Sequence, residues 1–109
     1  MNIYTLTADF VERNTNTTNA ILKGLDETTD YKKVKRITKA THNYCREIFK
    51  TCDLYESFIH RVPNANARKQ LLKAIYKQRT LLIKLSQLVD KREKREENEV
   101  KKWQTTHNH

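Results

Sequence analysis

Between Val34 and Val89 apolar residues recur mostly at steps of three and four, in two rows parted at Pro63. The row before the break runs Val34, Ile37, Thr41, Tyr44, Ile48, Tyr55, Phe58 and Val62, with one irregular step at Thr51 and Cys52. Such a heptad row turns one face of a helix toward another helix. Proline lacks the N–H that a helix needs and pushes the residue before it away from helical angles, so this helix should end near Arg61 or Val62. Asn64 or Asn66 can cap the next one, because an Asn side chain accepts from free backbone amides. The second row is Leu71, Leu72, Ile75, Leu81, Leu82, Leu85, Leu88 and Val89, interrupted by Gln78. A buried Gln there needs a partner and can fix register. Two such rows joined by a few residues predict an antiparallel helical hairpin with arms at about 30–62 and 65–92.

A third helix, about 7–24, is predicted ahead of the hairpin. Thr7 can cap it, Phe10, Val11, Ile21, Leu22 and Leu25 share a side, and Gly24 fits its end. Its middle, Asn14 to Asn19, is all Asn and Thr, residues that compete for backbone hydrogen bonds and weaken a helix. The expected fold is all-α: an elongated, coiled-coil-like hairpin completed by a short N-terminal helix into a three-helix bundle over residues 1–92. Beyond it, "KREKREENEVKKW" alternates charge signs at helical spacing, with Glu97 and Lys101 four apart. Residues 93–109 are therefore read as a charged helical extension with a frayed end, Gln104 to His109. Trp103 continues the row of Ile75, Leu82 and Val89.

Composition narrows the function. One Gly and one Pro in 109 residues leave little material for a phosphate-cradling loop. Cys45 and Cys52 stand seven apart, about 10 Å along a helix, too far for a disulfide within the chain and without the short spacing of a zinc site. The four histidines are dispersed, and a narrow bundle rarely forms a water-excluding pocket. The chain is thus expected to be non-catalytic and without cofactor or metal. No apolar run reaches the ~18 residues that span a bilayer, and the first residues lack a secretory or mitochondrial targeting pattern, so a cytosolic or nuclear setting is expected.

Charge points to a partner. The net charge is +9, but residues 1–30 carry −3, residues 31–50 carry +6, and residues 65–92 carry +7 with Asp90 as their only acid. Lys32, Lys35 and Arg36 on the second helix, with Lys69, Lys73, Lys77 and Lys84 on the third, are read as one basic ridge on the outside of the bundle, the acidic first helix lying over part of it. Such a ridge is either a solvated face or a surface for an acidic partner. The expected function is an interaction subunit or adaptor, binding helical partners or a second copy through the heptad row, with Leu81, Leu85, Leu88 and Trp103 as anchors. The alternative is nucleic-acid binding through phosphate contacts of the ridge. The stretch Leu54 to Leu72 also resembles the opening of the mitochondrial LYR-motif proteins, which are small basic helical adaptors. Glu56 stands where that family has its arginine, and no expectation is taken from the likeness.

Overall fold

The computed structural model describes residues 2–107. It contains three helices, α1 (Ile3–Asp26), α2 (Tyr31–Ile59) and α3 (Ala65–His107), in a rod of 70 × 17 × 17 Å. The expected all-α three-helix bundle is what forms. The chain runs up, down and up, so α1 lies parallel to α3.

Each boundary has a local cause. Asn2, not Thr7, caps α1 by accepting from the Thr5 amide at 2.9 Å, and Thr7 faces the interior. The polar middle does not interrupt α1, which continues through Gly24 in helical conformation to Asp26. Asp30 caps α2 by accepting from the Lys32 amide at 3.0 Å. At the hinge, α2 closes with bonds from Arg61 N to Phe58 O and Val62 N to Ile59 O. Asn64 Oδ1 then accepts from Ala67 N at 3.0 Å to open α3, and the Arg68 guanidinium reaches back to Val62 O at 2.9 Å. Pro63 is thus a solvent-exposed fold point, tied on both sides.

The buried seam of α2 is Val34, Thr38, Thr41, Cys45, Cys52 and Ile59, displaced from the row read in sequence. Thr38 is tolerated there because its hydroxyl donates to Val34 O at 3.0 Å. The small Thr and Cys side chains let α3 approach closely. The bulkier Ile37 and Tyr44 shift to the flank, where they cover the α1 side. Phe58, a member of the row read in sequence, is half-exposed, with the Arg61 guanidinium 6.0 Å from its ring centre, while Ile59 and Val62 meet Leu71 and Ile75. On α3 the seam is Leu71, Ile75, Gln78, Leu82, Leu85 and Val89.

α1 has a more polar seam: Thr7, Phe10, Asn14, Thr18 and Leu25. Phe10 stacks on Tyr55 at 4.9 Å between ring centres. Asn14 is the centre of a buried network, donating from Nδ2 to Gln78 Oε1 at 2.8 Å while its Oδ1 accepts from the Tyr44 hydroxyl. Gln78 does have the partner its position demands, and that partner lies in the run predicted to weaken α1. At the far end Arg92 donates to Leu25 O at 2.8 Å and to Thr28 O at 2.6 Å, and its Nε binds Glu96. α3 shows no break at residue 92. The end expected to fray is helical as far as His107, and residues 108 and 109 lie outside the described residues.

Two substitutions test this packing. Gly24 has negative φ and open space where a Cβ would sit, so Gly24→Ala should stabilise the bundle by about 0.5–1 kcal/mol in urea unfolding. Asn14→Ala should cost about 1–3 kcal/mol, because it strands the buried Gln78 carbonyl. The double change Asn14→Leu with Gln78→Leu should recover most of that stability, yet leave α1 amides exchanging faster with solvent. Unchanged α1 exchange in the double variant would show that the network does not set register.

Candidate functional site

The four expected anchors part company in the structure. Leu85 is buried against Cys45 and Leu82, so it belongs to the bundle core and is not available as a surface anchor. Leu81 is half-buried, Leu88 is 49% exposed and Trp103 is 62% exposed. Leu81 and Leu88 lie seven apart on the flank of α3 that faces α1, while Trp103 sits on the charged end of the helix. The heptad phase explains the split. Once Gln78, Leu82, Leu85 and Val89 occupy the seam, the residue just before each of Leu82 and Val89 is rotated toward the edge.

The ridge is likewise two strips. Lys73, Lys77 and Lys84 lie along the α1/α3 side together with Lys91 and Lys94. Lys32, Lys35, Arg36 and Lys39 line a separate shallow hollow of about 330 Å³ near the start of α2. That helix turns its other flank to α3: Asp53 and Glu56 bind Arg79 at 2.5 and 2.6 Å, and His42 binds Asp90 at 2.6 Å. Lys69 is exposed in the first turns of α3. Arg92 is not on either strip but is the part-buried clamp on Leu25 O and Thr28 O. None of Lys32, Lys35, Arg36, Lys69, Lys73, Lys77, Lys84 and Lys91 makes an ion pair among the described residues. The acids of α1 were expected to offset this charge, but none of them pairs with either strip among the described residues.

Between α1 and α3 runs a groove in two stretches. The upper, about 770 Å³, has Val11, Thr15, Ala74 and Leu81 within it and Lys73, Lys77 and Lys84 at its edge. The lower, about 580 Å³, has Leu22, Leu25 and Leu88 with Lys91, Lys94, Arg95 and the single acid Asp26. Sequence reading missed Ala74, Thr15, Lys94 and Arg95. For Ala74 and Arg95 the signal was present in the seven-residue spacing of Ala74, Leu81, Leu88 and Arg95, but it is legible only once the seam's phase is known.

Two other constellations carry chemistry-bearing groups. His42 bridges α2 to α3, with Nε2 against Asp90 Oδ1 and Nδ1 3.2 Å from Ser86 Oγ. Although Ser, His and Asp meet here, mid-helix amides are already bonded within their helices and no backbone donors converge on Ser86 to hold an oxyanion. The trio serves as an interhelical clip. Cys45 and Cys52 are free, in keeping with their spacing, and both are buried. Burial pushes both thiols above their ordinary 9.0; at Cys52 the nearby Arg79 pulls weakly the other way. Burial also raises the Tyr44 phenol above 10.0, opposed by a hydrogen bond with Thr17. Among the described residues no group of three or more His, Cys, Asp or Glu side chains could hold a metal ion, and no helix is long and apolar enough to cross a membrane. No protein family matches the chain, and no curated protein or solved structure is significantly similar to it.

The raised values fix a sign. The fold favours the protonated thiols and phenol, so the unfolded chain releases these protons first. Their contribution to stability is complete below about pH 9 and is lost as pH rises through 10 and the folded-state values. Urea midpoints of the native chain should fall between pH 7.5 and 10.5, and more steeply than those of Cys45→Ala with Cys52→Ala. Equal slopes would contradict burial of the thiols.

Proposed function

We propose that this protein is a non-catalytic interaction subunit or adaptor of a larger assembly, docking through the α1/α3 groove. One observation carries the reading: half-buried Leu81 and half-exposed Leu88 lie beside lysines that pair with no acid among the described residues. Apolar side chains in such a groove supply affinity when covered, and unpaired charges steer and orient the approach. The seam proper, including Leu85, is consumed by the chain's own helices, so the partner meets the groove and not the core. Two free, buried thiols fit work in a reducing compartment, the cytosol or nucleus.

A second reading, nucleic-acid binding through Lys32, Lys35, Arg36, Lys69, Lys73 and Lys77, is favoured by the exposure of all six without ion pairs. It leaves the leucines unexplained. Salt separates the two. Phosphate-driven binding through six or more contacts should fall by orders of magnitude between ~50 and ~200 mM salt. Affinity purification from the native host, with nuclease and a wash at about 0.3 M salt, should retain a stoichiometric protein partner that is lost with Leu88→Asp. Recovery of nucleic acid alone, and only when nuclease and salt are omitted, would overturn the adaptor reading.

A further inference from the structure

Resting on that reading, we propose that the groove receives an acidic amphipathic helix of a partner protein. Its apolar face covers Leu81 and Leu88, and its flanking carboxylates meet Lys77, Lys84 and Lys91.

Shape, period and charge agree on this occupant. The groove extends along α3 from Lys73 to Asn98, a distance of about 38 Å at 1.5 Å per residue. That is the length of a helix of about 25 residues. Ala74, Leu81 and Leu88 form one row with seven-residue spacing, and Lys77, Lys84 and Lys91 form a second row beside it. Each row repeats about every 10.5 Å. A helix with apolar a and d positions and acids at e and g meets both rows in step. A phosphate backbone matches the lysines alone and would leave Leu88 against charge, with Tyr76 the one aromatic at the edge for a base to stack on. A second copy of a +9 chain would lay one lysine row against another. The upper stretch contains no acid and the lower only Asp26, so positive charge stays in excess along the lysine row.

The full chain can be tested with synthetic helices of about 25 residues. The probe carries Leu at a and d and Glu at e and g. One control replaces the Glu by Lys, another scrambles the Leu positions at constant charge, and a third is a 25-nucleotide single-stranded RNA. At about 0.15 M salt the acidic amphipathic peptide should bind at least about tenfold tighter than each control. Lys77→Glu with Lys84→Glu should weaken it about tenfold or more, and so should Leu88→Ser, with helicity and urea midpoint unchanged. All of these side chains are exposed, so the variants should fold. Equal binding of the scrambled peptide, tighter binding of the RNA, indifference to the groove variants, or sedimentation as a dimer that these variants dissolve would each overturn the proposal. A native partner that is lost with Leu88→Asp but survives Lys77→Glu with Lys84→Glu would refute this acidic occupant while leaving the adaptor reading intact. Groove-dependent peptide binding with no native protein partner would do the reverse.

Discussion

One buried amide decides where α1 sits. Asn14 donates to Gln78 and accepts from Tyr44, so it joins all three helices at a single level. The rest of the α1 interface is a weak guide. The hydroxyls of Thr7, Thr18 and Thr41 are buried without a hydrogen-bond partner among the described residues, which disfavours docking. Apolar contact along α1 comes mainly from Phe10, Ile21 and Leu25, side chains that would tolerate some sliding. A buried amide tolerates none, because a one-turn slip leaves it facing apolar surface. Arg92 adds a second fixed point, on Leu25 O and Thr28 O, fourteen residues along α3 from Gln78. Two polar clamps about 21 Å apart then hold α1 at one height and one direction.

The groove inherits its shape from those clamps. Val11 and Thr15 stand opposite Ala74 and Leu81 only while Asn14 stands opposite Gln78, and Leu22 meets Leu88 only while Arg92 holds the end of α1. Register in the core and composition of the surface are thus one constraint seen from two sides. The polar α1 seam has a cost in stability. What it supplies is a unique alignment, the best-attested role for a buried polar residue at a heptad position.

How much of this could be read from the sequence follows from the same physics. The helix count, the hinge and its Asn64 cap, the up-down course of the hairpin and the free cysteines all follow from local rules about proline, caps and spacing. The seam's phase does not. Hydrophobicity favoured Ile37, Tyr44 and Phe58 over Thr38, Cys45 and Cys52, but close helix packing prefers small residues, and a Thr hydroxyl can be satisfied by its own helix. Asn14 was misread for a related reason: its propensity is poor for a helix, and its partners lie 30 and 64 residues away. The phase likewise separates Leu85, which is core, from Leu81 and Leu88, which are groove. It also separates one imagined ridge into two strips. Charge totals by segment were sound; the direction in which each charge points needed the phase.

The strips themselves are a tension that the isolated bundle leaves unrelieved. Lys73, Lys77 and Lys84, at successive steps of four and seven along one face, repel one another, and no acid in the walls of the upper groove offsets them. Elsewhere the chain does place acids beside bases: Asp53 and Glu56 on Arg79, Glu96 on Arg92, Glu97 on Lys101. The acids are therefore not scarce; they are distributed away from the groove. The same asymmetry continues past the bundle. α3 has 43 residues against 29 in α2, and α2 ends at the hinge where α3 begins, so about 21 Å of α3 extends beyond its neighbour. That segment is steadied by its own i,i+4 pairs and carries Arg95 and Asn98 onward from the groove floor. A ligand lying in the groove would meet a continuous helical track of one sign along its edge, with apolar side chains at heptad spacing beneath it.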